Sequence, residues 1–431
     1  MTMQQAQTLR GAIPNLDHTR GLEISELDTI YVVRPEVQEK LEELTIQLEL
    51  QYSCKILLTG HRGVGKSSAL TYLSKQLQTS SKLWVVHFSI LDDLDLNDLD
   101  YVDIMVLMVA KILEQCRDQK LDLGTGIQKR LEVWSSDIEI VRENKELSQV
   151  DIEAKTEVSV GTPGWLSSSV KAFLSVSGRI GKESETRKTI RHQVTPKYSA
   201  LLGIIDDLQQ AISKTINRQL VCLIDGCDKA SVEASEKLFY KNGHYLSIPL
   251  CSIVYTFPVA LQHSKEYNQI LPYFTEAIPI PNFKTQTRKN PDQAEQQRLQ
   301  NGIALLKEVI TKRVNPNLLI PTALEKIVIS SGGISRLAIK LTQMAALKAL
   351  VAKTDKIEEH HVDAAINEER KVYQRMLTAK QLDLLRKARD EQRIDPDPES
   401  GYLDLLHNLS LIEYDNGKVW YAVHPIAAPL L

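Results

Sequence analysis

Cysteine is scarce in this sequence, and no two cysteines form a Cys-x-x-Cys pair. The chain of 431 residues contains five: Cys54, Cys116, Cys222, Cys227 and Cys251. Their spacing argues against a zinc ribbon. An odd number of thiols in a long chain predicts reduced cysteines and therefore a cytoplasmic protein.

Long apolar runs and an excess of charge of one sign are also missing. No run approaches the roughly 18–20 apolar residues of a membrane span, and the polar residues 1–5 lack the apolar core of a secretory signal. The net charge is −3 with a pI of about 6.4, so bulk charge does not indicate a nucleic-acid or membrane partner. We expect a globular protein of two or three domains with no membrane partner.

One segment carries a specific motif between an apolar run at 55–59 and a helical pattern at 68–73. It reads Gly60-His61-Arg62-Gly63-Val64-Gly65-Lys66-Ser67. The pattern Gly-x-x-x-x-Gly-Lys-Ser in a strand–loop–helix context predicts a phosphate-binding loop, whose backbone N–H groups and helix N-terminus attract phosphates. We expect Lys66 to reach the β- and γ-phosphates and Ser67 to supply a hydroxyl to Mg²⁺, with Ser68 completing the loop.

Asp225 ends an apolar run and supplies the second half of the predicted site. A carboxylate at this position can hold Mg²⁺ opposite Ser67, directly or through water. Many ATPases of this shape place a glutamate next to orient water, but this chain has Gly226. Asp228 is the nearby substitute, which predicts slow hydrolysis. Thr256 closes the following apolar run and is either a γ-phosphate contact or an ordinary strand residue.

A Gly332-Gly333 break precedes a helical pattern that carries Arg336 in its first turn. The break lets that helix start close to the nucleotide, so Arg336 can contact the γ-phosphate from above. The alternative is a surface arginine that follows a turn.

Residues 117–197 interrupt the nucleotide-binding pattern. Alternation at 155–160, a turn at 162–164 and the run 170–176 predict a β-hairpin. A basic segment follows, which is either a solvated surface arm or a docking site for a partner or nucleic acid; it contains Arg179, Lys182, Arg187, Lys188, Arg191 and His192. The aspartates between Asp92 and Asp103 are interpreted as helix caps and solvated surface, because a calcium loop would need a central glycine and a final glutamate.

The C-terminal segment predicts two helices and a hairpin, which together are typical of a winged helix. Its second helix, at 402–408, has no lysine or arginine and carries Asp404. That composition argues against insertion into a DNA groove, because phosphate contacts dominate affinity for DNA. We expect a protein–protein or intramolecular role for this unit.

With these motifs in place, residues 30–431 apart from the insertion resemble the P-loop ATPases of the AAA+ and STAND type. Residues 33–36, with Val33 and Arg34, are similar to the motif that cradles adenine. The segment from Gly332 to Arg336 is similar to the lid of archaeal origin-recognition ATPases. His424 resembles the histidine with which NLR immune receptors contact the β-phosphate of ADP, although Pro425 stands where the family often has aspartate; the alternative is a simple turn histidine.

The resemblance implies an ASCE-type α/β P-loop NTPase fold with strand order 5-1-4-3-2, a helical lid and a winged helix. The expected organisation is a loose polar lead-in at 1–29, an ATPase domain at 30–283, a lid at 284–376 and a winged-helix domain at 377–431.

The expected function is a cytoplasmic switch that binds Mg-ATP, hydrolyses it slowly and assembles with itself or with partner proteins. Family analogy suggests a bacterial regulatory or anti-phage role. The alternative is a DNA-associated AAA+ ATPase such as an initiator, a loader or a transposition regulator; DNA is a possible but not the favoured partner.

Overall fold

A five-stranded parallel sheet forms the centre of the structure. The computed structural model describes residues 3–121, 123–137, 173–174, 177–178, 184–394, 401–415 and 417–431. The strands are β1 (Lys55–Thr59), β2 (Leu83–Ser89), β3 (Gln219–Asp225), β4 (Ser252–Thr256) and β5 (Glu276–Pro279). They are ordered β2-β3-β4-β1-β5. This is the order expected from the sequence, read from the other edge, and that prediction is confirmed.

Helices flank the sheet and extend well beyond it. Before β3 they are α1 (Leu9–Asn15), α2 (Leu27–Ile30), α3 (Pro35–Leu50), α4 (Lys66–Gln78), α5 (Tyr101–Asp118), α6 (Gly124–Asp137), α7 (Ser184–Val194) and α8 (Tyr198–Ile216). Between β3 and β5 they are α9 (Val232–Ser235), α10 (Gly243–Ser247), α11 (Val259–Gln262) and α12 (Tyr267–Ile270), with a π-helical segment at Glu236–Lys241.

Both faces of the sheet are buried, because the strands are apolar in almost every position. On one face, Leu58 and Val254 pack with the apolar residues of α3 and α4. On the other face, Leu57 and Ile224 pack with α5 and α8. Side chains alternate along a strand, so Asp225 and Thr256, which follow the alternation of Leu223 and Val254, are directed to the α4 face.

The N-terminal residues are folded, which corrects the expectation of a loose lead-in. The side chains of Leu9 and Ala12 in α1, and of Leu16 directly after it, are buried against the helices that follow the sheet. Ala6 pairs with the chain near Val314 in a short parallel bridge. The few apolar residues of this segment pack into the core formed by the later helices. The mostly polar composition of the segment does not predict this packing.

The insertion is part of the main core in the described residues. Helices α6 and α7 bury Trp134 and Ile190 against α5 and α8. Most of the predicted β-hairpin lies outside the described residues, as do Arg179 and Lys182. Phe173 and Leu174, which were expected in its second strand, are helical, and the Phe173 ring stacks on Trp134 with centroids 4.8 Å apart.

The acidic stretch and the basic segment pair with each other. Arg187 donates to Asp95 and Asp98, each at 3.0 Å. Arg191 donates to Asp98 at 2.7 Å and to the buried Asp103 at 2.9 Å. The expectation of a solvated surface is therefore wrong for Asp103, whereas the expected helix cap is present, since Asp100 caps α5. The two arginines serve the fold.

The helices after the sheet form a second core. The lid helices are α13 (Gln293–Thr311), α14 (Pro321–Ser330), α15 (Ser335–Val351) and α16 (Glu359–Met376). The C-terminal unit consists of α17 (Ala379–Glu391), α18 (Tyr402–His407) and an antiparallel hairpin, β6 (Leu411–Asp415) and β7 (Val419–Val423). The two helices and hairpin occur as expected, and their assignment as a winged helix stays a prediction. Among the described helices, none combines the length and apolarity of a membrane span.

Candidate nucleotide-binding site

The phosphate-binding loop connects β1 to α4, which begins at Lys66. Gly60, Gly63 and Gly65 have φ values of 139°, 80° and 108°, so the loop needs glycine at these positions. Space is also limiting at Gly63, where an added Cβ atom would lie 2.8 Å from Cβ of Arg336. The loop therefore curls as the motif predicts, and the start of α15 packs directly on it.

The loop, the N-terminal segment and the lid helices enclose one pocket. From the loop it is lined by Arg62, Gly63, Val64, Gly65, Lys66, Ser67 and Ser68. From the lid helices and the turn after α13 it is lined by Val309, Arg313, Ser335, Arg336 and Ile339. From the N-terminal segment it is lined by Met3, Asn15, Asp17, His18, Arg20, Gly21, Leu22, Ile30, Tyr31, Val32 and Arg34.

Cations outnumber carboxylates in this pocket. The lysines and arginines are Arg20, Arg34, Arg62, Lys66, Lys229, Arg313 and Arg336, and the carboxylates are Asp17 and Asp228. A partly enclosed site with this excess of positive charge attracts an anionic ligand. The apolar side chains of Ile30, Val32 and Ile339 provide surface for a flat base, so the pocket fits a nucleotide.

The Lys66 ammonium is engaged within the protein. It forms an ion pair with Asp228 at 2.8 Å and donates to the backbone oxygens of Gly60 at 2.6 Å and His61 at 3.0 Å. Because an ammonium has three protons, these contacts use all its donors. Burial tends to raise the pKa of Asp228, but the neighbouring Lys66 holds that pKa below its ordinary value. A bound phosphate would have to replace at least one of these acceptors.

One carboxylate oxygen of Asp228 can still accept a hydrogen bond. Its Oδ1 atom is buried and has no hydrogen-bond partner among the described residues. The predicted water-positioning residue therefore lies in the pocket beside Lys66, with one oxygen available to accept a proton from water.

Asp225 and Thr256 end neighbouring strands, as the sequence indicates. Oδ1 of Asp225 accepts from the N–H of Gly226 at 2.8 Å, and the residue is buried. Oγ1 of Thr256 is buried and lacks a partner within the described part of the chain. Neither residue is among those lining the pocket. Burial lowers the pKa of Arg336, and the Asp225 carboxylate is close enough to Arg336 to oppose that shift.

Two pocket residues and the neighbouring Asp225 carry oxygen groups that suit Mg²⁺. Ser67, Asp225 and Asp228 offer the hard oxygen ligands that Mg²⁺ prefers. In the described ranges, no group of three or more His, Cys, Asp or Glu side chains could hold a metal ion alone. A magnesium ion held here would take its other ligands from nucleotide phosphates and water, as is usual for this ion.

The lid helix α15 meets the loop through its first turn. The Ser335 hydroxyl and the Arg336 N–H donate to the backbone oxygen of Gly63 at 2.8 Å and 3.0 Å. The Gly332-Gly333 break permits this approach, since a Cβ atom on Gly333 would lie 2.0 Å from the Phe283 oxygen. The structure therefore brings Arg336 into the pocket with the loop.

Four further predicted residues lie outside the pocket, and a fifth is only partly used. Val33 is 40% exposed, and Gly60 and His61 line a second cavity behind the loop. His424 is fully buried behind the lid, where its ring stacks on Tyr373 with centroids 5.4 Å apart. Arg34 lines the pocket, but its guanidinium donates to the Pro281 oxygen and lies 4.5 Å from the Phe283 ring centroid.

The N-terminal wall was missed by sequence reasoning. Asp17, His18 and Gly21 line the pocket, and a Cβ atom on Gly21 would lie 3.8 Å from Cβ of Ser67. No motif marks these residues. The helical spacing of Leu9, Ala12 and Leu16 was the one available signal that this segment is folded.

A comparison with known families shows which family this chain belongs to. The KAP family P-loop domain matches residues 36–255, so the chain belongs to the KAP family of P-loop proteins. The match begins in α3, includes the loop and Asp225, and ends in β4. It confirms the P-loop identification, whereas the features that resemble STAND proteins in particular stay predictions. Among curated proteins, no relative matches.

Solved structures that match this chain share little sequence with it. The Aeropyrum pernix ORC2 protein in ADPNP and ADP complexes is 11% identical, with a TM-score of 0.43 over 95% of this chain and 93% of its own. The ORC1 protein of the same organism in complex with DNA is 12% identical, with a TM-score of 0.42 over 99% and 98%. The Thermotoga maritima RuvB Holliday junction branch migration motor is 15% identical, with a TM-score of 0.34 over 81% and 73%. These similarities assign no function to this chain.

Proposed function

We propose that this protein binds Mg-ATP, hydrolyses it slowly, and changes the arrangement of its lid helices and C-terminal unit with the nucleotide state. The observation that carries the proposal is the cationic pocket that the loop and the lid residue Arg336 form together. A ligand that spans both elements binds more tightly when they are close. Nucleotide can shift the arrangement only as far as its affinity differs between the two states.

The parts of the site have distinct roles in this proposal. Loop N–H groups and the N-terminus of α4 hold the phosphates. Lys66 leaves its internal acceptors to contact the β- and γ-phosphates, Ser67 and Asp225 hold Mg²⁺, and Arg336 contacts the γ-phosphate. Asp228 orients the attacking water. The absence of a glutamate at position 226 supports slow turnover.

The consequence of the nucleotide state is assembly with further copies of the chain or with partner proteins in the cytoplasm. A role in bacterial regulation or defence against phage rests on family resemblance and is proposed on that ground alone. The pairing of Arg187 and Arg191 with aspartates leaves less basic surface for nucleic acid than the sequence indicates.

Nucleotide titration by calorimetry tests the proposal. We expect the wild type to bind Mg-ATP and release phosphate slowly. Lys66→Ala should weaken binding by at least about tenfold, because a charge-assisted contact is worth more than about 1.4 kcal/mol. Arg336→Ala should weaken ATP more than ADP. Lys75→Ala, on the exposed side of α4, is the matched control.

Lys66→Ala leaves Asp228 buried without its ion-pair partner, so Ser67→Ala is a second test that keeps this pair. It should reduce the Mg²⁺ dependence of ATP binding. A wild type that binds no nucleotide at millimolar concentration, or variants that bind as the wild type does, would contradict the proposal.

A further inference from the structure

The second residue of the phosphate-binding loop contacts the C-terminal hairpin. The N–H of Glu413 in β6 donates to Nε2 of His61 at 2.8 Å, across 352 positions of the chain. His61 is 2% exposed. The loop is therefore held from behind by an element that does not line the nucleotide pocket.

The strand that holds His61 is itself firmly anchored. Asn282 donates through Nδ2 to the backbone oxygen of Glu413 at 2.7 Å. The Glu413 carboxylate pairs with His263, whose Nδ1 atom lies 3.2 Å from the Tyr421 hydroxyl. On the next residue of β6, the Tyr414 hydroxyl donates to the Gly332 oxygen of the lid at 2.7 Å. The position of Glu413 is thus fixed by the ATPase core and by the lid.

The neutral state of the His61 ring makes this contact persistent. Burial lowers the pKa of His61 to about 4, although the nearby Glu413 opposes this shift and Lys66 and His263 reinforce it. The ring is therefore neutral at physiological pH. Because Nε2 accepts a hydrogen bond, the proton is assigned to Nδ1. The contact is not a pH switch within the physiological range and can act only through position.

His61 also supplies one of the acceptors that occupy Lys66. Its backbone oxygen lies 3.0 Å from the Lys66 ammonium, alongside the Gly60 oxygen and Asp228. Fixing the ring of His61 therefore stabilises the loop geometry in which Lys66 is engaged internally. A phosphate has to draw Lys66 out of that geometry.

We propose that strand β6 is a positioning element for the phosphate-binding loop, which acts through His61 to keep Lys66 in its internal contacts. Hairpin docking and nucleotide binding then oppose each other, and by linkage each weakens the other by the same factor. This inference rests on the proposed nucleotide binding and names the contact through which the C-terminal unit regulates it.

The test uses the full chain and compares Kd for Mg-ADP and Mg-ATP among variants. His61→Leu removes the acceptor, and we expect its Kd for both nucleotides to fall by about threefold to tenfold, the effect of one hydrogen bond. His61→Gln offers an acceptor again and should return the Kd toward the wild-type value. His360→Leu makes the same chemical change on the exposed surface of α16 and should have no effect.

Hydrogen exchange gives a readout that a merely structural role would not change. In the wild type, peptides that contain Glu413 should exchange faster when Mg-ADP saturates the protein, because nucleotide binding loosens the hairpin. This measurement also covers the case in which His61→Leu does not fold.

The outcomes separate the two proposals. If the wild type binds no nucleotide, both the proposed function and the positioning role of β6 are overturned. A wild type that binds nucleotide and loses it with Lys66→Ala supports the proposed function, and equal Kd values for His61→Leu or unchanged exchange at Glu413 then overturn the positioning role alone.

Discussion

At the scale of single residues, Asp228 joins two tasks in one carboxylate. Its Oδ2 atom neutralises the loop lysine at 2.8 Å, while its Oδ1 atom has no partner among the described residues. A buried carboxylate keeps its charge only when a cation or hydrogen bonds compensate the lost hydration. Lys66 supplies that compensation, so Asp228 remains ionised and able to accept a proton from water.

Asp228→Asn keeps the shape of the side chain and removes its charge. We expect the rate of phosphate release at saturating Mg-ATP to fall at least about tenfold, within the range that general bases contribute. Nucleotide affinity should not fall, because Lys66 loses a competing internal partner. Asp92→Asn in an exposed loop is the control. Hydrolysis by Asp228→Asn at the wild-type rate would show that another group positions the water.

At the scale of elements, ion pairs fasten α7 to the first turn of α5 and to the loop before it. Arg191 contacts Asp98 and Asp103, and Asp103 is only 1% exposed. Burial raises the pKa of Asp103 to about 6, even though the Arg191 guanidinium opposes that shift. The pair therefore holds the insertion in the core at a considerable desolvation cost.

Arg191→Leu should destabilise the protein strongly, because it leaves a buried carboxylate without its cationic partner. We expect the free energy of unfolding to fall by about 3–5 kcal/mol, measured by urea unfolding at pH 7.5. Lys188→Leu, at an exposed position of the same helix, is the matched control. Adding Asp103→Asn should restore part of the loss. If Arg191→Leu unfolds at the same urea concentration as the control, the pair does not hold α7 in place.

Local patterns predicted the sheet because each of its strands is an apolar run of distinct composition. The apolar run at 55–59 and the runs that end at Asp225 and Thr256 all occur as strands of the sheet. The N-terminal segment contains no such apolar run. Its helix α1 is short, contains Pro14 and buries only two residues of its own.

The residues of the site likewise divide into those that a local sequence motif marks and those that no motif marks. Lys66, Ser67, Asp228 and Arg336 were predicted because each belongs to a short motif, and the structure brings them together. The contact between His61 and Glu413 could not be predicted, because it joins residues 352 positions apart through a backbone N–H that carries no sequence signature. His424 shows the converse, since its motif is local but its position behind the lid depends on the whole fold.

At the scale of the whole molecule, the C-terminal unit is docked through two buried, neutral histidines. His61 faces Glu413 on the hairpin side of the loop, and His424 packs beside Gly332 at the lid. Burial lowers the pKa of His61 to about 4 and that of His424 to about 3. Both rings must stay neutral for the C-terminal unit to remain packed against the loop and the lid. Its docking therefore becomes pH-dependent below the physiological pH range.

This dependence has a definite sign. The unfolded chain protonates a histidine near pH 6.5, whereas the folded chain does so only near pH 3–4. Between these values the unfolded state binds more protons, so stability falls as the pH falls, by about 2 kcal/mol per histidine at pH 5. Asp103, whose pKa is raised to about 6, contributes with the opposite sign. A comparison with a variant is therefore needed to isolate one histidine.

His424→Asn provides that comparison, because asparagine can accept from the Ile426 N–H as Nδ1 of His424 does at 3.1 Å, but it does not titrate. Between pH 7.5 and pH 5.0, we expect the variant to lose about 2 kcal/mol less free energy of unfolding than the wild type loses. Urea unfolding at both pH values measures the difference, and His360→Asn on the exposed surface should behave as the wild type does. Equal losses in His424→Asn and the wild type would mean that His424 does not report the docking of the C-terminal unit, and that the acid sensitivity comes from other groups.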